Sequence, residues 1–404
     1  MSNDVWNDDI AYEFSTHRTL MQILGIWPLQ KKTVFTIIHW SVIIILQLLS
    51  IILIYMDLTE KYGDTGRTMD AIIYISSTVC LILKYSCLAA NQRKLAKNIN
   101  AASDDWLCAK NNEEAYKIMK KHSFESRVYT FVMLYSTYTC GSLYIMSVVV
   151  VNIKEIFFQA QMVNASNDIN TEDRAYIFPC GSFGDNMTTL QYTMFTIFQI
   201  VLLLVVCTAQ SITDSFYISL TLHIAGQLKI LETKFKNLSS KPDNQLYYRK
   251  QFIKLVNRHC ELRDHNQNVE DTFHLVILYQ LVTVTLLLAL SGIRILIYLR
   301  SKIYFESLKT ALIINFLFME SLLYCIGGDF VQRGSTGIFH AMYTTSWYTL
   351  PLTLMKDMNF ALMRSARSFQ LTGGKFFYVN RMAMVYVLRT AASYISFLRV
   401  ALKE

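Results

Sequence analysis

TVFTIIHWSVIIILQLLSIILIYM, the stretch Thr33–Met56, contains no Asp, Glu, Lys or Arg. It exceeds the ~20 apolar residues that an α-helix needs to cross ~30 Å of hydrocarbon. Six further stretches are long and mainly apolar: Ala71 to Ala90, Val128 to Ile153, Met187 to Thr213, Thr272 to Ile293, Thr310 to Gly328 and Phe377 to Leu398. Hydrophobic residues make up 53% of the chain, which suits burial in a bilayer. The sequence predicts an all-α, polytopic membrane protein with seven transmembrane helices. Residues 1–32 lack the basic-then-apolar pattern of a cleaved leader, so the first span is expected to remain as an anchor.

Orientation follows from the basic residues of the loops. Arg18, Lys31 and Lys32 precede span one. Arg93, Lys94, Lys97, Lys110, Lys117, Lys120 and Lys121 follow span two, and nine more, from Lys229 to Arg263, follow span four. The opposite loops carry only Lys61 and Arg67, Lys154 and Arg174, then Arg300 and Lys302. This bias predicts an intracellular N-terminus and an extracellular C-terminus. It also accounts for much of the net charge of +8, and no soluble basic and aromatic face marks a nucleic-acid partner. The sequons at Asn164 and Asn186 fall in the loop 153–187, expected outside and glycosylated, whereas the one at Asn237 falls inside.

The expected organisation is a cytoplasmic segment 1–32, spans one to four over 33–222, a cytoplasmic helical extension 223–268, spans five and six over 269–330, an anchor helix and turn over 331–374, and the last span with a short tail over 375–404. Phe216, Leu220, Ile224, Leu228, Leu231, Phe235 and Leu238 recur at helical spacing, carrying span four past the membrane. Phe252, Leu255 and Val256 lead a second helix towards span five, and Phe339, Tyr343, Trp347, Leu350 and Leu354 a third after span six. Ile338 to Met355 is long enough for an eighth span, but Thr344, Thr345, Ser346, Thr349 and Pro351 would then lie in mid-membrane.

Little in the chain speaks for catalysis. HExxH, GxSxG and GxxxxGK[ST] are absent, and His259, His265 and His274 lack ligand spacing, so no enzyme, cofactor or metal is expected. Eight cysteines show no CxxC spacing. All four prolines lie outside the spans, unlike the broken helices of many transporters.

The runs LLYCIGGDFVQRGSTGIFHAMYTTSWY (Leu322–Tyr348), RSFQLTGGKFFYVNRMAMVYVLRTAASYISFL (Arg367–Leu398) and DSFYISLTLHIAGQLKIL (Asp214–Leu231) resemble the signature of insect odorant receptors. Asp329 stands where Gly-Glu is more usual in relatives. The resemblance implies a non-selective cation channel gated by a small volatile odorant, in the plasma membrane of olfactory sensory neurons. It further implies a heterotetramer with a coreceptor, joined through a cytoplasmic anchor; the loop from His223 to Asn268 lacks the coreceptor's long insertion, which implies a tuning subunit. A gustatory receptor of the same superfamily is the nearest rival, although Ser393-Tyr394 leads to Val400 rather than to a TYxxxxxQ end. A G-protein-coupled receptor would need the opposite orientation and DRY and NPxxY motifs, none of which is present.

The resemblance puts the pore along the last span, where Phe397, Val400 and Ala401 would form an outer constriction that gates by dewetting. Arg389 in the same span either snorkels to the inner interface or faces a water-filled vestibule. An odorant pocket is implied in the outer half of the membrane between spans two, three, four and six. The residues matching that depth on one face are Tyr74, Ser77, Tyr138, Gly141, Ile145, Met194, Phe195, Phe198, Phe316 and Met319. Depth counting at ~1.5 Å per residue also places Lys84 of span two and Glu320 of span six in the middle or inner half of the membrane, where an intramembrane ion pair is geometrically open to them.

Overall fold

A bilayer offers backbone amides no water, so a spanning segment must satisfy its hydrogen bonds internally. In the computed structural model, which describes residues 8–31, 33–60, 65–162, 176–178, 188–238 and 245–401, nearly all of the chain does so as α-helix. The helices are α1 (Asp8–Ile23), α2 (Val34–Glu60), α3 (Thr65–Ala90), α4 (Gln92–Ala109), α5 (Glu113–Met162), α6 (Thr189–Lys236), α7 (Gln245–Arg300), α8 (Tyr304–Thr344), α9 (Leu352–Ser365) and α10 (Arg381–Ala401). Among the described residues α2, α3, α5, α6, α7 and α8 are long and apolar enough to cross a membrane. The count is therefore six by length and composition, against the seven expected. The difference is α10, whose Arg381, Arg389 and Arg399 dilute an otherwise apolar helix. Its 21 residues extend for about 31 Å at the usual helical rise.

The expected inward extensions of spans four and five are uninterrupted helix, α6 running to Lys236 and α7 starting at Gln245. Every residue of α6 from Ala209 to Leu228 is buried, with α1, α5, α7 and α8 packed around it. Where α6 passes α1 and α4, Trp106 donates to Glu13 Oε2 at 2.7 Å. His223 lies 3.2 Å from both Glu13 oxygens and 3.3 Å from Asp105 Oδ2. Burial alone would raise the Asp105 carboxyl, but His223 and Arg258 outweigh it and hold the group below its ordinary range.

Three expectations change. Residues 1–32 carry a docked helix, α1, whose Ile10, Phe14, His17 and Met21 are buried on one face. The single helix expected from Phe339 to Leu354 is broken. Thr344 and Thr345 turn their hydroxyls back to the carbonyls of His340 and Met342, a short 3-10 turn spans Trp347–Thr349, and Pro351 occupies the N-cap of α9. Hydroxyls that bond locally and a proline without an N–H both favour a helix end. Finally, the last helix starts at Arg381 rather than Phe377, because Phe377–Tyr378 forms strand β2, antiparallel to β1 at Thr372–Gly373. Gly374 at φ +59 allows the hairpin turn and donates its N–H to His274 O at 2.7 Å. The Thr372 N–H donates to Glu270 Oε2 at 2.8 Å, so the hairpin is fastened to α7.

Candidate functional site

On α3 the positions Ile73, Tyr74, Ser77 and Cys80 share one face by helical spacing and form one wall of a cavity of about 190 Å³. Thr137, Gly141 and Tyr144 of α5, Val206, Cys207 and Gln210 of α6, Gln280, Thr283 and Val284 of α7, and Ile313, Phe316 and Glu320 of α8 close the others. Ile177 and Phe178, from the segment between α5 and α6, cover one side. The Ile177 N–H donates to Gln199 Oε1 at 3.1 Å, its carbonyl accepts from the Tyr144 hydroxyl at 3.1 Å, and the Phe178 and Tyr74 rings lie 4.2 Å apart.

One end of the cavity is charged. Lys84, Asp214 and Glu320 are all buried. Lys84 Nζ lies 2.7 Å from Asp214 Oδ1 and 3.7 Å from Glu320 Oε1, and donates to Gln210 Oε1 at 2.6 Å. The Tyr324 hydroxyl donates to Asp214 Oδ1 at 2.5 Å, Gln280 donates to Glu320 Oε2 at 2.6 Å, and Cys80 Sγ to Gln280 Oε1 at 2.7 Å. A charge placed in hydrocarbon costs at least ~2.5 kcal/mol when unpaired, so these side chains hold one another and tie α3, α6, α7 and α8 together. At the other end Asp70 accepts both terminal nitrogens of Arg294, while Glu306 lies 3.7 Å from Arg294 and 2.7 Å from Lys309.

Of the positions expected to meet a ligand, Tyr74, Ser77, Gly141 and Phe316 line this cavity. The Tyr138 hydroxyl instead shares a hydrogen bond of 2.7 Å with Thr208. Ile145 and Phe195 pack in a satellite cluster around Ile54, Ala71 and Phe178, and Met319 packs against the main core. Met194 and Phe198 lie exposed on the outside of α6, because that helix turns Gln199, Leu202 and Val206 inwards. Gln210, Tyr279 and Gln280 belong to the lining without having been expected there, and with the last two comes the whole contribution of α7. The available signal was Gln280, the one Gln of span five, and Gln210, one of three in span four.

On α10 the buried face is Ala383, Met384, Val387 and Ala391, turned towards α7 and α8. Arg389 is exposed on the other side, where Phe397 is 69% and Val400 66% exposed. Ala401 is the last described residue. Asn164 and Asn186 lie outside the described residues.

The sequence profile of the family described as 7tm odorant receptor matches residues 64–392. Odorant receptor 67b of Drosophila melanogaster is 24% identical over 190 residues, which is 46% of this chain and 44% of that protein. This match therefore spans less than half the length of that relative. Among solved structures, the insect olfactory receptor OR5 from Machilis hrabei in complex with eugenol superposes with a TM-score of 0.77 at 15% identity, covering 98% of this chain and 100% of that one. The same receptor in a second structure gives 0.72 at 16% identity, covering 97% and 99%. At such identities the superposition speaks for the fold.

Proposed function

The chain belongs to the 7tm odorant receptor family, and on that premise we propose that it is a ligand-gated, non-selective cation channel subunit that binds a small volatile in the cavity between α3, α5, α6, α7 and α8. The observation that carries this reading is the cavity itself, apolar along its walls and lined by helices long and apolar enough to cross a membrane. Engineered apolar cavities of ~150 Å³ take up benzene, so about 190 Å³ suits a one-ring or short-chain ligand. The Machilis hrabei receptor, of like fold, was solved with eugenol.

In this reading α10 is the seventh span. It packs by one face on its own subunit and presents Tyr386, Arg389, Phe397 and Val400 on the other. In a heterotetramer with a coreceptor that second face lines the conduit, with Phe397 and Val400 at the outer constriction and Arg389 nearer the inner vestibule. The N-terminus is cytoplasmic, Asn164 and Asn186 are external, and the protein resides in the plasma membrane of olfactory sensory neurons. A ligand opens the pore only if it binds the open arrangement more tightly than the closed one. The helices shared by cavity and pore, α7 and α8, are the physical link, since both line the cavity and both pack against α10.

The test is whole-cell current from cells expressing this chain with and without a coreceptor, under a broad volatile panel and with G-protein signalling blocked. The expected result is an evoked cation current that requires the coreceptor and survives the block. A response carried by second messengers and abolished by the block would replace the channel reading with a G-protein-coupled one.

A further inference from the structure

A further cavity, of about 240 Å³, lies where the chain passes from α1 into α2 and from α3 into α4. Trp27, Gln30, Lys31, Ile37, Trp40 and Gln92 are among the residues around it. Gly25, at φ +73, folds the α1–α2 connection back on α2, where an added Cβ would stand 3.4 Å from Thr36 O. Gln92 Nε2 donates to Pro28 O at 3.1 Å and to Gln30 O at 3.3 Å, which occupies these two carbonyls. Among the described residues, the Trp40 indole N–H is buried without an acceptor and the Gln30 amide oxygen without a donor. The Gln30 amide, turned over, presents its NH₂ in place of that oxygen. The lining contains no Asp or Glu, and Lys31 is its one charge. A donor left bare inside a protein is costly. A single bridging water needs only ~10–15 Å³, so the space admits something larger.

We propose that this cavity binds the phosphate of a membrane phospholipid, with Trp40 Nε1 and the Lys31 ammonium as donors and the Gln30 amide as a third. The position argues for a lipid. Lys31 and Ile37 both line the cavity and are both exposed, so it opens at the start of α2. Beside that opening Val34 is 74% and Ile38 55% exposed, an apolar face that acyl chains cover once α2 crosses a bilayer. In the proposed orientation this is the cytoplasmic end of α2 and α3, the depth at which headgroups lie and at which Trp and Lys side chains anchor. An ammonium and an indole N–H together favour an anionic phosphate over a neutral glycerol head. Binding there ties the α1–α2 connection to the inner leaflet. The site is separate from the volatile's cavity and does not depend on which volatile opens the channel.

The experiment is thermal unfolding of the purified full-length chain in a non-ionic detergent, titrated with dioctanoyl phosphatidic acid, with dioctanoylglycerol and with inorganic phosphate. The phosphatidic acid is expected to raise the melting temperature saturably, by about 2 °C or more, and the other two to leave it unchanged. Trp40→Phe keeps the ring and removes the N–H, and Lys31→Gln alters an exposed side chain. In each, the half-saturating concentration of phosphatidic acid is expected to rise about fivefold or more. Dioctanoylglycerol as effective as the phosphatidic acid on the wild-type chain overturns the phosphate site without need of any variant. Inorganic phosphate as effective overturns the lipid as its source. A half-saturation unchanged in either variant, or no shift with any of the three compounds, overturns the assignment of these donors.

Discussion

Lys84 lies 2.7 Å from Asp214, which makes Asp214 its nearer partner and Glu320, at 3.7 Å, its second. The pairing with Glu320 was open to depth counting because charges stand out within apolar spans. Asp214 was hidden by position: it directly follows Thr213, where the apolar run of span four ends, and so reads as cytoplasmic. Removing one member of such a buried group strands the others, at a cost of about 3–5 kcal/mol. Lys84→Ala is therefore expected to lose most surface protein, and Lys84→Ala/Asp214→Asn to recover part of it; equal losses in single and double variants would show that the pair does not couple. His17 supplies a second residue-scale expectation. It is 1% exposed, and burial pushes its imidazole down to about 4 from 6.5. The unfolded chain thus binds a proton there before the folded chain does. Stability from this group is complete above about pH 6.5 and falls progressively towards pH 4, by about 3 kcal/mol in all. Thermal unfolding of the purified protein between pH 7 and 4 should show this slope, and His17→Gln should flatten it; an unchanged slope would assign the acid sensitivity to other groups.

At the scale of elements, helix existence was largely legible and helix ends were not. A 3.6-residue apolar period marks a helix whatever surrounds it, whereas α8 stops where hydroxyls compete for backbone carbonyls, and α10 is delayed by a hairpin that depends on Glu270 and His274 from a distant helix. α1 was readable in the spacing of Ile10, Phe14, His17 and Met21 but carries no membrane signal. The hairpin sits against Gly328, where an added Cβ would fall 2.0 Å from the Val379 carbonyl oxygen. Gly328→Ala must shift β2 or α8 and is expected to cost about 1–3 kcal/mol, read as a lowered melting temperature in detergent; an unaltered melting temperature would mean that the hairpin moves freely. On α10, Phe397→Ala is expected to raise single-channel conductance through a wider constriction, and Arg389→Ala to alter cation permeability. Unchanged conductance and permeability in both would place the conduit on another face.

For the whole molecule, the membrane class and the side-chain chemistry of the cavity were more legible than its walls. Tyr74, Ser77, Gly141 and Phe316 line the cavity as depth and facing suggest, while Met194 and Phe198 look away from it. Helical spacing shows that a face exists but leaves the rotation of α6 against α5 and α8 to tertiary packing. The contribution of α7 likewise depends on a neighbour relation that no local pattern encodes. What the assembled helices create is a helix-lined cavity linked through α7 and α8 to an outward face on α10, and the central claim is that filling the first opens a pore along the second. Gly141 gives direct access to that claim, because a Cβ there makes only ordinary contact, 3.6 Å from Cys207 Sγ, while a longer side chain enters the cavity. The decisive measurement is the concentration–response of the volatile-evoked current for wild type and Gly141→Leu, each with the coreceptor and at matched surface level. The account predicts a loss of sensitivity of about tenfold or more in Gly141→Leu, and a response identical to wild type would contradict it.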